Sequence, residues 1–111
     1  MGSVAIPSGG GSKITLVGTY SNGTNGTASI NIRSNLPNYA DYTKDNFMVV
    51  PKSIYGHHSA NVGGNWTREF TPSISSYSNG VLTIANAGLS GGVTEGNYQM
   101  RVSSFYVYLI K

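Results

Sequence analysis

The chain of 111 residues has no cysteine and very little charge, and both shortages narrow what it can be. Without thiols there are no disulfides and no thiolate metal site, so stability must come from a packed core or from association of copies. Charged residues make up 10% of the chain. Intrinsic disorder couples high charge to few aromatics, and this chain has eight Tyr, three Phe and one Trp in β-branched company. No two of the seven cations (Lys13, Arg33, Lys44, Lys52, Arg68, Arg101 and Lys111) are closer than eight positions. Nucleic-acid binding needs clustered cations to displace phosphate counterions, so no such partner is expected. Long apolar runs are missing as well. The longest, such as 47–51 and 105–110, are strand-sized, which predicts no membrane insertion and no signal peptide, so that any export would follow another route.

What fills the sequence instead is Gly, Ser, Thr and Asn around short alternating apolar segments, the composition of a β protein with many turns. Residues 1–12 (MGSVAIPSGGGS) read as a flexible Gly/Ser-rich leader, either an engineered addition or an assembly arm anchored by Val4, Ala5 and Ile6. Residues 13–111 form one domain.

Period-two patterning runs through that domain. Ile14, Leu16, Gly18 and Tyr20 alternate with Lys13, Thr15, Val17 and Thr19. The two Asn-Gly steps of 21–26 then predict a hairpin into Ala28, Ile30 and Ile32. Residues 34–46 read as a long connection with a helical turn at 39–44, and 47–50 as a short strand ended by Pro51. Residues 56–65 read as a loop. A strand from near Trp66 to Tyr77 is interrupted by Pro72, and Ser-Asn-Gly at 78–80 reverses it into Val81–Ala85. A glycine-rich loop at 86–97 leads to closing strands at 98–102 and 105–110. Seven or eight short antiparallel strands without a helix predict an all-β sandwich, jelly-roll or immunoglobulin-like, with a small β-barrel as the alternative.

Little in the chain can do chemistry. The carboxylates are Asp41, Asp45, Glu69 and Glu95, scattered over turns and a polar strand edge, and a two-carboxylate hydrolase needs a facing pair. No Gly-x-Ser-x-Gly elbow, phosphate loop or dinucleotide fingerprint is present. His57-His58 is the sole pair with metal-ligand character. Neighbours on a strand point to opposite faces, so one ion would need a loop geometry or one His from each subunit around an axis. The expectation is a non-enzyme without cofactor.

Aromatics remain as contact groups. Tyr55, Trp66, Arg68 and Tyr77 are candidate ligand contacts, although Trp66 and Phe70 share a strand face that also suits a core. In the last strand Phe105, Val107 and Leu109 alternate with Tyr106, Tyr108 and Ile110, so both faces are apolar. Either subunits meet over Tyr106, Tyr108 and Ile110, or the strand is central beneath a loop. The sequons at Asn22, Asn25 and Asn65 read as chance in an Asn/Thr-rich chain.

Three segments, NLPNYADYTKDNFMVV (35–50), FTPSISSYSNGVLTIANAG (70–88) and SSFYVYLIK (103–111), resemble small tail-associated proteins of phages and prophages of Gram-positive gut bacteria. The likeness lies in a Pro-Asn-Tyr element before an Asn-Phe strand start, a Pro-x-Ile-x-x-Tyr strand turning through Asn-Gly, and the aromatic closing strand. It implies a virion structural protein: a fibre tip, tail appendage or capsid decoration. Such a protein would be a homo-oligomer, with a trimer favoured, contacting other virion proteins and in some cases a host-surface glycan. Because only a short leader precedes the domain, the resemblance favours a decoration or excised tip over a whole fibre. A secreted carbohydrate-binding module or lectin is the alternative, and a secreted filament subunit with a donated N-terminal arm is a third.

Overall fold

The computed structural model describes residues 13–58, 69–93 and 96–111, with only the backbone of residues 58, 92, 93 and 96. Its strands are β1 (Ile14–Ser21), β2 (Ala28–Asn31), β3 (Phe47–His58), β4 (Ser73–Ser78), β5 (Val81–Ala85), β6 (Gly88–Val93) and β7 (Gly96–Ile110). The protein is all-β, two antiparallel sheets packed face to face, as the alternation predicts.

β7 organises the first sheet, sheet A. β3 runs along one side of it from His58↔Tyr98 to Phe47↔Leu109. On the other side β1 pairs with the C-terminal half (Ile14↔Ile110 to Ser21↔Ser104) and β6 with the N-terminal half (Gly88↔Arg101 to Val93↔Gly96). Sheet B has the order β2-β5-β4. The core lies between the sheets. Phe105, Val107 and Leu109 of β7 and Phe47 of β3 meet Ala28, Ile30, Leu82 and Ile84 of sheet B, with Ile32, Leu36, Ala87 and Val102 closing the edges.

The hairpin expected over 14–33 does not form, because β1 and β2 belong to different sheets. The Asn22 side chain holds the chain against β7 instead, its amide donating to the Val102 carbonyl (2.9 Å) while its backbone N–H donates to Ser103 (2.8 Å). Its Oδ1 accepts from the Thr24 N–H, so the Asn-Gly step is not a reversal. The hairpin at 78–80 does form. Asn79 and Gly80 take positive φ (48° and 89°), the two-residue turn that matches strand twist.

Bulges explain the other departures. A register shift between Leu16 and Gly18 breaks the single face assigned to Ile14, Leu16, Gly18 and Tyr20. Ile14 and Leu16 stay exposed while Tyr20 packs on the core. β3 does not end at Pro51 but continues to His58, so 56–58 is strand and not loop. Shifts on both sides of Ser53 absorb the proline, which stands on a strand paired with β7 alone among the described strands. Of the strand expected from near Trp66, residues 59–68 lie outside the described residues, 69–72 are not in a strand, and β4 begins at Ser73, after Pro72. The glycine-rich stretch holds β6 rather than a loop, and the two closing strands are one. Within β7, Ser103 and Ser104 put two residues between the buried Val102 and Phe105, so the alternation changes phase where Ser53 Oγ meets both serine hydroxyls.

The 33–46 connection contains three 3-10 turns, at Arg33–Asn35, Tyr39–Asp41 and Lys44–Asn46, where one helical turn was expected. The last carries a Thr43/Asn46 capping box, and Asn46 Nδ2 donates to the Ile110 carbonyl at 2.9 Å.

Candidate contact surfaces

The outward side chains of sheet A form a grid. Directly paired residues on antiparallel strands share a face, and Tyr106, Tyr108 and Ile110 point away from the buried Phe105, Val107 and Leu109. Ile14 pairs with Ile110, Leu16 and Met48 flank Tyr108, and Thr19 and Val50 flank Tyr106. Ile14 and Leu16 are 59% and 50% exposed, and Met48 and Val50 are exposed as well. Tyr106 and Tyr108 are half-buried, with ring centroids 6.4 Å apart and planes tilted by 45°. None of these eight side chains is charged. One cation, Lys52, holds its Nζ 5.9 Å from the Tyr106 centroid, at the rim. Isolated exposed apolar side chains are ordinary, but a contiguous patch of this kind is the mark of a contact site.

Of the contact residues named from sequence, the structure thus gathers Tyr106, Tyr108 and Ile110 on one surface, and β1 and β3 add Ile14, Leu16, Met48 and Val50. These four escaped sequence reasoning because their membership depends on which strands flank β7. The exposed Ile14 and Leu16 were visible only as half of an expected hairpin face. Val4 and Ile6 lie outside the described residues, as do Trp66 and Arg68.

Tyr55 and Tyr77 part company. Tyr77 is half-buried, its ring centroid 4.4 Å from that of Phe47 and its hydroxyl donating to the Tyr39 carbonyl. Burial raises its pKa above the usual tyrosine value. Its ring and hydroxyl hold the 33–46 connection to both sheets, so the expected ligand contact is an inter-sheet packing residue. Tyr55 is 38% exposed, and the Arg101 guanidinium carbon lies 4.1 Å from its ring centroid.

Arg101 belongs to a second, polar cluster. Its Nη1 donates to Asn25 Oδ1 (3.0 Å), and Asn25 Nδ2 donates to Gln99 Oε1 (3.1 Å). Arg101 Nε is buried without a hydrogen-bond partner among the described residues, which costs roughly 1–3 kcal/mol. Beside this chain runs a groove lined by Asn25, Ser90, Gly91, Asn97, Tyr98 and Gln99. The amides of Asn22 and Asn25 are both engaged inside the fold, and because Asn22 Nδ2 donates to both Thr24 and Val102, glycan attachment at Asn22 would have to break one of these bonds.

His57 is exposed opposite Gln99, and the adjacent His58 sits opposite Tyr98 in the ladder. Among the described residues no three metal-ligating side chains gather. Asp41 and Asp45 lie exposed on separate 3-10 turns, Glu69 is exposed before β4, and Glu95 lies outside the described residues. No helix among the described residues is long and apolar enough to cross a membrane. Compared with protein-family models, with curated proteins and with solved structures, the chain matches none.

Proposed function

We propose that this chain is a non-enzymatic assembly protein whose copies associate through the outer face of sheet A. The observation that carries the reading is the uncharged apolar grid of Ile14, Leu16, Met48, Val50, Tyr106, Tyr108 and Ile110. A second copy is the occupant that suits it best. Interface centres are depleted of charge and enriched in aromatics and Met. Two copies of this face can meet without burying a charge on either side, whereas a charged partner surface would lose its hydration without compensation. Aromatic anchors at the centre, Tyr106 and Tyr108, would carry most of the binding energy.

The biological setting comes from the sequence resemblance alone. It is a bacteriophage virion, with the protein as tail-fibre tip, tail appendage or capsid decoration, trimeric and in contact with other virion proteins. A gene lying among tail or capsid genes would support that setting, and one lying elsewhere would remove it. Light scattering on the full chain at micromolar concentration tests the association. A multimer is expected, reduced to a folded monomer by Leu16→Lys or Tyr108→Lys. A monomeric parent protein, or charged variants that stay associated, would refute it. The carbohydrate-binding alternative is favoured by a different observation, the amide-lined groove beside β6.

A further inference from the structure

We propose that the groove formed by the 22–27 loop, β6 and the N-terminal half of β7 binds a neutral saccharide. Five of its six lining residues, Asn25, Ser90, Asn97, Tyr98 and Gln99, carry an amide or a hydroxyl, and the sixth is Gly91. Among the described residues, no carboxylate, ammonium or aliphatic side chain lines it. An apolar ligand would leave the Gln99 NH2 group unpaired, and an anion or cation would be desolvated there with no opposite charge among the described lining residues. A polyol has the matching chemistry, since each sugar hydroxyl both donates and accepts and an amide offers both functions side by side.

The polarity of the amides is set from behind. Arg101 can only donate, so the Asn25 atom it meets at 3.0 Å is the carbonyl oxygen. Asn25 Nδ2 must then face Gln99, and it does so at 3.1 Å through the Gln99 oxygen. Gln99 therefore offers its NH2 group, which donates no bond among the described residues. Stacking on Tyr55 fixes the guanidinium that starts this relay. Such a locked donor pattern lowers the ordering cost of binding. Gly91 keeps the groove open at its partner Tyr98: a Cβ there would stand 2.7 Å from the Tyr98 hydroxyl. Arg101 and Tyr55 are thus positioning residues, while Asn25, Ser90 and Gln99 touch the ligand.

Nitrogen-15 NMR of the full chain tests this. Galactose, glucose, N-acetylglucosamine and rhamnose are titrated to millimolar concentration, with N-acetylneuraminic and glucuronic acids as charged comparators. At least one neutral sugar should give saturable shifts at the Asn25 and Gln99 side-chain amides and the Ser90 and Gly91 backbone amides. Gln99→Ala and Ser90→Ala should each weaken binding about tenfold while leaving the spectrum dispersed. Arg101→Lys should move the Asn25 side-chain resonances before any sugar is added. Leu16→Lys should bind sugar like the parent, which keeps this site separate from the association face. The proposal is overturned if no neutral sugar shifts these amides, if only the acidic sugars do, or if neither alanine variant weakens binding.

Discussion

The two outer faces of the sandwich differ far more than the two inner ones. On sheet A the outward positions carry Ile14, Leu16, Met48, Val50, Tyr106, Tyr108 and Ile110 around Thr19. On sheet B the corresponding rows are Asn31–Val81–Ser78, Ser29–Thr83–Ser76 and Ala85–Ser73, mostly small and polar, with Ser75 Oγ donating to the Thr83 carbonyl. Both sheets contribute aliphatic and aromatic side chains to the one core. Core formation therefore accounts for the inner faces and leaves the contrast of the outer ones unexplained. A sheet that needs only one buried face shows the pattern of sheet B, apolar in and polar out. Sheet A has the composition of a sheet covered on both sides, and the second cover is what the association proposal supplies.

The contrast can be broken from inside or outside. The largest effect belongs to the inner face: Phe105→Ala, at a fully buried position, should destabilise the fold by about 3–5 kcal/mol in chemical denaturation. Next comes the outer face. Tyr108→Lys should weaken association about a hundredfold, roughly 2.7 kcal/mol, while changing monomer stability little, because the side chain is only half-buried before copies meet. Thr83→Lys at the centre of sheet B's outer face should leave association unchanged. Equal effects of the two lysines in sedimentation velocity would erase the difference between the faces.

The sheets also differ in how they are built, and this governs how much of each was legible in the sequence. Sheet B contains the local hairpin β4–β5, whose Asn79-Gly80 turn stands openly in the chain. Gly80→Ala would place a Cβ against Arg33 Cγ at a φ of 89°, so a loss of about 1–2 kcal/mol is expected from thermal unfolding. Sheet A is assembled from distant segments, pairing residue 14 with 110 and 47 with 109, and no local signal announces such partners. Alternation revealed that β7 is apolar on both sides. It could not reveal that β1 and β3 extend the outer face, nor that a bulge at Val17 frees Ile14 and Leu16 from the face of Tyr20. The Asn-Gly steps at 22–23 and 25–26 misled for a related reason: Asn22 and Asn25 are used for bonds to Val102, Gln99 and Arg101, residues some seventy or more positions away. The Asn-rich 21–26 and glycine-rich 86–97 segments stood out in the sequence as contact candidates, but their meeting in one polar groove was not legible, for the same reason.

Tyr77 joins the two sheets and gives the smallest effect, one with a definite pH signature. Burial raises its pKa above 10.0, the value for an unperturbed tyrosine. The folded state therefore holds the phenolic proton more tightly than the unfolded chain does. Its contribution is complete below the unfolded pKa and is lost as pH rises through the folded one, so stability should fall in the alkaline range above pH 10.0. Tyr77→Phe removes both the titration and the hydroxyl that donates to Tyr39. The variant should be less stable by about 1 kcal/mol at neutral pH, with a shallower alkaline decline than the parent. Urea midpoints measured from neutral to strongly alkaline pH would show the two curves converging. Parallel curves would mean that folding does not raise the Tyr77 pKa, and coincident curves would mean that its hydroxyl has no part in holding the connection.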